Sequence, residues 1–312
     1  MSQLEYLSDR NLIPCVCGAW GGVVIKRKDR YQLKFQYKLC TKCGHVRTAN
    51  PISAKAAERF YGTSDYRSMY LPGMSSREVL LSKTPKPHII SPLLKYVQEL
   101  GIEAGSLIEW GCSGGWNLIP FRDAGWKVSG FDYDKQYVAL GRDEFGLSLH
   151  EIERNDDLDI RSQSPDVVLL NHVLEHAEDP LSLLKRLRRI CGTKTTLIVG
   201  VPLLETITFW GWQRFFHVAH IHYFSEDSLV AVAQHARFEV VHRDVNSGLF
   251  ALRLNEQQVT QWPGRKSAIR SSAAIFRSFV DPKYRLLLLA RNFIKTLGLL
   301  HLVVRLKAKL RR

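Results

Sequence analysis

The chain has 312 residues, of which 45% are hydrophobic and 24% are charged, so it can bury a core of one large domain or two ordinary ones. This composition excludes a globally disordered chain, a collagen and a small disulfide-dense fold. The net charge of +14 is uneven, because residues 265–312 carry thirteen Lys or Arg and a single acid, Asp281. We find no uncharged apolar run of the roughly 18 residues that span a membrane, and no signal-peptide pattern at the start. We therefore expect a cytoplasmic protein.

The predicted elements divide the chain into four segments. Residues 1–50 hold cysteine pairs and β-like runs, 51–104 look helical, 105–255 alternate between strands and helices, and 256–312 form a basic tail. The predicted helices are 54–61, 88–100, 116–124, 135–145, one that starts at Asp179-Pro180, and 225–236. The predicted strands are 106–110, 127–132, 147–152, 166–171, 195–201, and then 238–245 and 249–255. Alternating strands and helices predict an α/β fold, with a parallel sheet between two helical layers and an antiparallel pair at one edge.

The first segment carries a candidate metal site. Cys15-x-Cys17 and Cys40-x-x-Cys43 are each followed by glycine, and paired cysteines in a chain without a secretory signal favour metal over disulfides. Four thiolates leave no open coordination position, so the pattern predicts a structural zinc ribbon. The first pair is C-x-C instead of the usual C-x-x-C, and His45 could replace a poorly placed ligand. Reduced cysteines without metal are the alternative.

A glycine-rich turn, GCSGG (111–115), follows the first strand of the third segment. Glycines let the backbone approach a ligand closely, and the next helix offers free N–H groups. Asp132 lies 21 residues after Gly111, at the end of the next strand, where a carboxylate can accept hydrogen bonds from a ribose diol. Because the glycines do not spell G-x-G-x-x-G, a nicotinamide dinucleotide is disfavoured. The alternative is a tight turn between strand and helix that binds no ligand.

Three blocks resemble the class I S-adenosylmethionine-dependent methyltransferases: Glu109-x-Gly111-x-x-x-Gly115, Gly130-Phe131-Asp132, and DVVLLNHVLEH (166–176) with Asp179-Pro180. The resemblance covers about residues 105–255 and implies a Rossmann-like, seven-stranded sheet that binds S-adenosylmethionine. It implies the following contacts with the cofactor: Glu109, Gly111, Cys112, Ser113 and Gly115 at the methionine part, Asp132 at the ribose, Tyr133 and either Asp156 or Asp157 at the adenine, and Asn171 beneath the sulfonium. Ser113 departs from the family, which usually has glycine there, and we expect no catalytic thiol at Cys112.

Histidines near two strand ends are candidates for a base. Methyl transfer to a hydroxyl or amine needs an aligned acceptor and a proton acceptor, and histidine titrates near neutrality. His172 is the first candidate and His220 or His222 the second, whereas His176 is expected to support the loop. H-x-x-E-H (172–176) also spells a zinc-peptidase motif, but it straddles a predicted strand end, where a peptidase needs a helix. A metal held by these residues to bind a substrate hydroxyl stays open.

The region from Tyr31 to Tyr70 resembles bacterial methyltransferases that join an N-terminal zinc ribbon to this catalytic fold. Many of them act in pathways for surface-polysaccharide sugars or secondary metabolites. The residues that carry this resemblance are Cys40-Thr-Lys-Cys-Gly44, Asn50-Pro51, Phe60-Tyr61 and Tyr66-Arg-Ser-Met-Tyr70. It implies that Tyr66 and Tyr70 fold over the active site as a lid, although they could simply pack a linker. Sugar C-methyltransferases with a similar zinc segment have a longer C-terminal domain, which favours O- or N-methylation here.

The basic tail contains a predicted amphipathic helix, because apolar residues recur at spacings of three and four from Leu286 to Val304, with Lys and Arg on another face. Contact of residues 265–312 with an anionic membrane surface would suit a lipid-linked acceptor at the inner face of the membrane. The alternatives are packing on the body or on a second subunit, and RNA binding.

We predict a methyltransferase that acts on a hydroxyl or amine of a sugar, glycan or related small molecule. One alternative is an RNA methyltransferase that uses the ribbon and tail as handles, although the nearly neutral body disfavours a nucleic-acid partner. A second alternative is a non-catalytic, cofactor-binding scaffold. The sequence does not fix the oligomeric state.

Overall fold

The computed structural model describes residues 2–63, 65–85, 91–152, 164–207, 211–257, 259 and 261–280. Its strands are β1 (Val23–Lys28), β2 (Lys34–Leu39), β3 (Val46–Thr48), β4 (Ser106–Trp110), β5 (Lys127–Asp132), β6 (Ser148–Glu151), β7 (Val167–Asn171), β8 (Thr196–Gly200), β9 (His222–Tyr223), β10 (Phe238–Asp244) and β11 (Leu249–Leu254). Its α-helices are α1 (Ala54–Gly62), α2 (Asp65–Tyr70), α3 (Ser76–Lys83), α4 (Pro92–Glu99), α5 (Ile119–Asp123), α6 (Lys135–Phe145), α7 (Pro180–Arg188), α8 (Trp212–Phe215), α9 (Glu226–His235) and α10 (Arg265–Val280).

The larger sheet has seven strands in the order β10-β11-β8-β7-β4-β5-β6. Strands β4 to β8 run parallel, and β11 pairs antiparallel with both β8 and β10. The predicted α/β fold, with a seven-stranded sheet and an antiparallel edge pair, is therefore confirmed. The carboxyl ends of β4, β5, β7 and β8 lie along one edge, which is where open α/β sheets bind ligands.

Both faces of this sheet are covered, which explains the unbroken apolar runs of its central strands. On one face, Val168 and Val199 pack with Leu184 of α7 and Val232 of α9. On the other face, the alternate strand residues pack against α4, α5 and α6, and they include Leu107, Val167, Leu169 and Ile198. Alternation along each strand therefore places the predicted helices on opposite sides of the sheet.

Side-chain caps explain where several helices begin. Asp179 accepts a hydrogen bond from the backbone N–H of Ser182, and Pro180 is the first residue of α7, as predicted. Helix α6 has the predicted bounds and ends at Gly146 in the left-handed conformation. Helix α5 is shorter than predicted: it begins at Ile119 because the turn after Gly115 occupies the preceding residues and Pro120 suits the first turn of a helix.

The smaller sheet joins the N-terminal segment to the methyltransferase-like segment. Its order is β1-β2-β3-β9, and all of its pairings are antiparallel. Strand β9 follows β8 in the chain, so the ribbon sheet is completed by a strand from beyond residue 105. Thr48 of β3 also donates its hydroxyl to the carbonyl of His220, at 2.8 Å. The ribbon therefore fixes the backbone at one candidate catalytic histidine.

Helix α10 is the helical part of the basic tail within the described residues. Gly44 packs against it so closely that a Cβ there would lie 2.6 Å from the backbone nitrogen of Ala268. Ile269 and Phe276 are 60% and 66% exposed on the other side. The predicted amphipathic stretch from Leu286 to Val304 lies outside the described residues. Among the helices that the structure does describe, none combines the length and apolarity needed to cross a membrane.

Candidate functional site

The turn after β4 is held tightly by the end of β5. The N–H groups of Gly111 and Cys112 donate to the carbonyl of Phe131, at 2.7 and 3.2 Å. Gly111 and Gly115 have φ values of +78° and +76°, which glycine adopts readily. Ser113 has a φ of +50°, so a serine occupies the left-handed region where the related family usually has glycine. The departure seen in the sequence is accommodated without opening the turn.

Asp132 faces this turn. Its Oδ2 accepts from the N–H of Ser113 at 2.6 Å, and its Oδ1 accepts from the N–H of Asp134 at 2.8 Å. Tyr133, the next residue, is 41% exposed beside it. The carboxylate at the end of β5 and the turn at the end of β4 are thus brought together, with an accessible aromatic ring next to them. Asp156 and Asp157 lie outside the described residues.

Glu109 is a buried acid under the same turn. Its Oε1 accepts from Nδ2 of Asn117 at 2.7 Å, while its Oε2 is buried without a hydrogen-bond partner among the described residues. Burial raises the pKa of Glu109 to about 8, the hydrogen bond from Asn117 opposes this, and the charge of Asp132 adds to it. An unsatisfied buried carboxyl group of this kind suits a cationic ligand group.

Cys112 is a packing residue in this structure. Its side chain is buried, and a Cβ at Gly130 would lie 2.6 Å from its Sγ. Burial raises the pKa of the Cys112 thiol, with smaller contributions from the charges of Asp132 and Glu109, so the thiol stays protonated.

Asn171 and His172 lie at the carboxyl end of β7. The side chain of Asn171 lies over Gly200, where a Cβ would collide with its Oδ1. The N–H of His172 donates to the carbonyl of Gly200 at 2.8 Å, and its φ is +55°. Such a backbone conformation is uncommon for a residue other than glycine and is concentrated at functional sites. The His172 side chain is 56% exposed, so it is accessible to a ligand at this edge.

Three histidines surround the buried carboxylate of Glu175. Its Oε1 lies 3.1 Å from Nδ1 of His172, 3.9 Å from Nε2 of His176 and 3.8 Å from Nε2 of His220. Desolvation would raise the pKa of Glu175, but the hydrogen bond with His172 and the charges of His176 and His172 outweigh it and lower that pKa. Desolvation would lower the pKa of His172, but the hydrogen bond and charge of Glu175 raise it above its ordinary value. Burial lowers the pKa of His220 well below its ordinary value, so His220 is neutral.

Tyrosines from the segment after the ribbon pack on this cluster. The hydroxyl of Tyr61 lies 3.1 Å from Nδ1 of His176, and the rings of Tyr61 and Tyr66 both meet the His176 ring nearly perpendicularly. Tyr66 therefore contacts the histidine cluster, and a lid role for this segment stays a prediction. The side chain of Tyr70 lies outside the described atoms. Phe60-Tyr61 belongs to the resemblance, but the contact of Tyr61 with His176 depends on how α1 docks and could not be predicted from the sequence.

His222, the other candidate base, lies apart from this cluster. It is buried, and its Nδ1 lies 2.9 Å from Nε2 of His45. His222 lies in β9 and His45 precedes β3, so this contact joins two neighbouring parts of the smaller sheet. Nε2 of His45 is engaged at that junction, and the metal-ligand group found among the described residues contains the four cysteines without His45. The ring of His217 lies against that of His220, with ring centroids 3.7 Å apart and the ring planes tilted by 49°.

The four N-terminal cysteines form one cluster. The Sγ atoms of Cys15 and Cys43 are 3.5 Å apart, those of Cys17 and Cys40 are 3.7 Å apart, and all four lie within 4.8 Å of one another. Zinc–sulfur bonds of about 2.3 Å in a tetrahedron place sulfurs about 3.8 Å apart. The C-x-C pair thus presents both sulfurs correctly, and the cluster has the geometry of a structural zinc site.

Several known proteins are similar to this chain. Residues 85–243 match the family model described as "Methyltransferase domain". One similar solved structure is the 1,6-didemethyltoxoflavin-N1-methyltransferase of Burkholderia thailandensis, at 17% identity over 68% of this chain and 96% of that chain, with a TM-score of 0.45. Another is a SAM-dependent methyltransferase from Aquifex aeolicus, at 16% identity over 58% of this chain and 98% of that chain, also with a TM-score of 0.45. A search of curated protein sequences found no match.

Proposed function

This chain belongs to the S-adenosylmethionine-dependent methyltransferases of the methyltransferase-domain family, and we propose that its acceptor is a hydroxyl or amine of a sugar, glycan or related small molecule. The observation that carries the proposal is the pair formed by His172 and Glu175 at the sheet edge. Such a pair suits an acceptor that must lose a proton when it is methylated.

The residues around the turn fit the cofactor. S-adenosylmethionine supplies a methyl group already activated on a sulfonium, so the protein needs to bind, align and shield it. Asp132 would accept hydrogen bonds from the ribose hydroxyls, and exposed Tyr133 would flank the adenine. Oε2 of Glu109, which has no hydrogen-bond partner within the described parts of the chain, would face the cationic methionine end. Asn171 would lie beneath the sulfonium.

His172 would act on the acceptor. Glu175 fixes the Nδ1 side of the imidazole, which leaves Nε2 as the atom that takes the acceptor's proton when the methyl–oxygen or methyl–nitrogen bond forms. The buried carboxylate then stabilises the imidazolium. His220 would help to hold Glu175 from the other side, since its Nε2 lies 3.8 Å from Oε1 of Glu175. His172 is thus the proposed general base, with Glu175 as the residue that positions it.

A labelled-methyl assay on the full chain tests this proposal. The acceptor panel would contain sugar nucleotides, lipid-linked glycan intermediates, small phenols and amines, and RNA. Label in a sugar, glycan or small-molecule acceptor is expected, and label confined to RNA would contradict the proposal. His172→Gln should lower kcat by about 100-fold or more with little change in cofactor affinity. The variant His150→Gln, at an exposed position, should leave kcat and the cofactor affinity unchanged.

We also propose that residues 265–312 contact an anionic membrane surface, which would bring the enzyme to a lipid-linked acceptor. Support comes from α10, where exposed Ile269 and Phe276 accompany Arg265, Lys266 and Arg277. Apolar side chains among basic ones gain from both lipid burial and lipid charge. Co-sedimentation with anionic vesicles should be strong for the full chain and weak for Phe276→Asp. Equal partition of the two proteins would contradict the membrane proposal.

A further inference from the structure

The cluster of Glu175, His176 and His220 has the composition and spacing of a metal site separate from the cysteines. One ligand atom from each residue, Oε1 of Glu175 and a ring nitrogen of each histidine, lies within 4.8 Å of the others. Glu175 is 1% exposed, and its Oε2 has no hydrogen-bond partner among the described residues. Two imidazoles and one carboxylate are a common ligand set for zinc and for other divalent first-row transition metals.

The orientation of the His176 ring supports this interpretation. Its Nδ1 lies 2.8 Å from the carbonyl oxygen of Ala219, which can only accept, so Nδ1 carries the hydrogen. Its Nε2 lies on the side of Oε1 of Glu175, 3.9 Å away, which is beyond direct hydrogen-bond range. An imidazole held by a backbone carbonyl on its far side is also the usual arrangement of a metal-bound histidine.

The distances allow a cation to enter with small side-chain movements. Metal–nitrogen and metal–oxygen bonds of about 2.1 Å place neighbouring ligand atoms about 3.0 to 3.4 Å apart. The present separations of 3.8 and 3.9 Å from Oε1 of Glu175 to the histidine nitrogens exceed this by less than 1 Å. The backbone is already fixed, because the N–H of Ile221 donates to the carbonyl of Glu175 and Thr48 holds that of His220.

We propose that Glu175, His176 and His220 bind a divalent transition-metal ion whose open coordination positions take an oxygen of the acceptor. His172 contacts the same carboxylate oxygen, at 3.1 Å, so the bound oxygen would lie beside the proposed base. The role of the metal rests on the proposed function, whereas its binding does not. Vicinal hydroxyls of a sugar or a related chelating oxygen pair are the acceptor class that such a metal selects.

Cobalt binding to the full chain with zinc already in its cysteine cluster tests the metal site. We expect about one further cobalt per chain, with an absorption spectrum that lacks a thiolate charge-transfer band. Glu175→Gln and His220→Gln should each weaken this binding by at least about tenfold, as expected when a ligand is lost. His150→Gln should bind cobalt as the wild type does.

Either of two results in the wild-type chain would overturn the metal site: no cobalt beyond the cysteine cluster, or cobalt with a thiolate band alone. These measurements need no variant, so a folding defect in one cannot hide the answer. Zinc content and the unfolding midpoint would show whether each variant is folded. Methyl transfer by a chain that binds no extra cobalt would refute the metal and leave the proposed function standing. Cobalt binding without methyl transfer to any acceptor of the panel would support the metal site and contradict the proposed function.

Discussion

Replacing Glu109 by glutamine should change how the stability of the cofactor-free protein depends on pH. Burial raises the pKa of Glu109 from its ordinary 4.5 to about 8, so the folded protein keeps a proton that the unfolded chain releases between these values. Folding therefore becomes less favourable as pH rises through that window, and the loss levels off above the folded pKa. The slope is at most about 1.4 kcal/mol per pH unit for one group. From about pH 6 to about pH 7.5, the loss amounts to about 2 kcal/mol.

Denaturant unfolding of the wild type and of Glu109→Gln at both pH values measures this effect. Glutamine has the shape of the protonated acid and can still accept from Asn117, so the variant should lack this part of the pH dependence. The wild type should lose about 2 kcal/mol relative to the variant as the pH rises. Glu103→Gln, at an exposed position, should track the wild type. If the difference in unfolding free energy between the wild type and Glu109→Gln does not change with pH, the argument that Glu109 is protonated when buried is refuted.

Two further predictions concern the metal cluster and the packing behind the turn. Cys40→Ser should lose zinc by metal analysis and several kcal/mol of unfolding free energy, because metal binding contributes directly to folding, whereas Cys191→Ser should keep its zinc. Equal zinc in both variants would contradict the four-cysteine site. Gly130→Ala should destabilise the protein by about 1–3 kcal/mol in denaturant unfolding, because the new Cβ would lie 2.6 Å from Sγ of Cys112. Gly62→Ala, where nothing lies within 4 Å of the new Cβ, should be neutral or slightly stabilising, and equal effects at the two glycines would show that the strand and turn do not pack as described.

Local patterns were sufficient to predict the central strands of the larger sheet and the glycine-rich turn after β4. Apolar runs bounded by turn residues placed β4, β5, β7 and β8 within a residue or two, since strands covered on both faces have nearly continuous hydrophobic sequences. The contact between Asp132 and Ser113 followed from the rule that parallel strands bring their carboxyl ends to one edge.

Contacts between distant parts of the chain could not be predicted in the same way. The pairing of β9 with β3 joins residues about 175 positions apart, and a two-residue strand has no periodicity to reveal it. For the same reason, His222 looked like a candidate base, although its partner in the structure is His45. The proximity of Glu175 and His220 likewise depends on how the segment after β8 folds back.

Calorimetric titration with S-adenosylmethionine tests the central claim most directly, namely that the turn after Trp110 and the carboxylate of Asp132 form the cofactor seat. We predict binding at one site per wild-type chain. Asp132→Asn should weaken binding by about 10- to 100-fold, since a hydrogen bond to a charged group contributes about 1.5–3 kcal/mol. Asp143→Asn, on the exposed side of α6, should bind as the wild type does. No binding by the wild type, or equal binding by Asp132→Asn, would contradict the account.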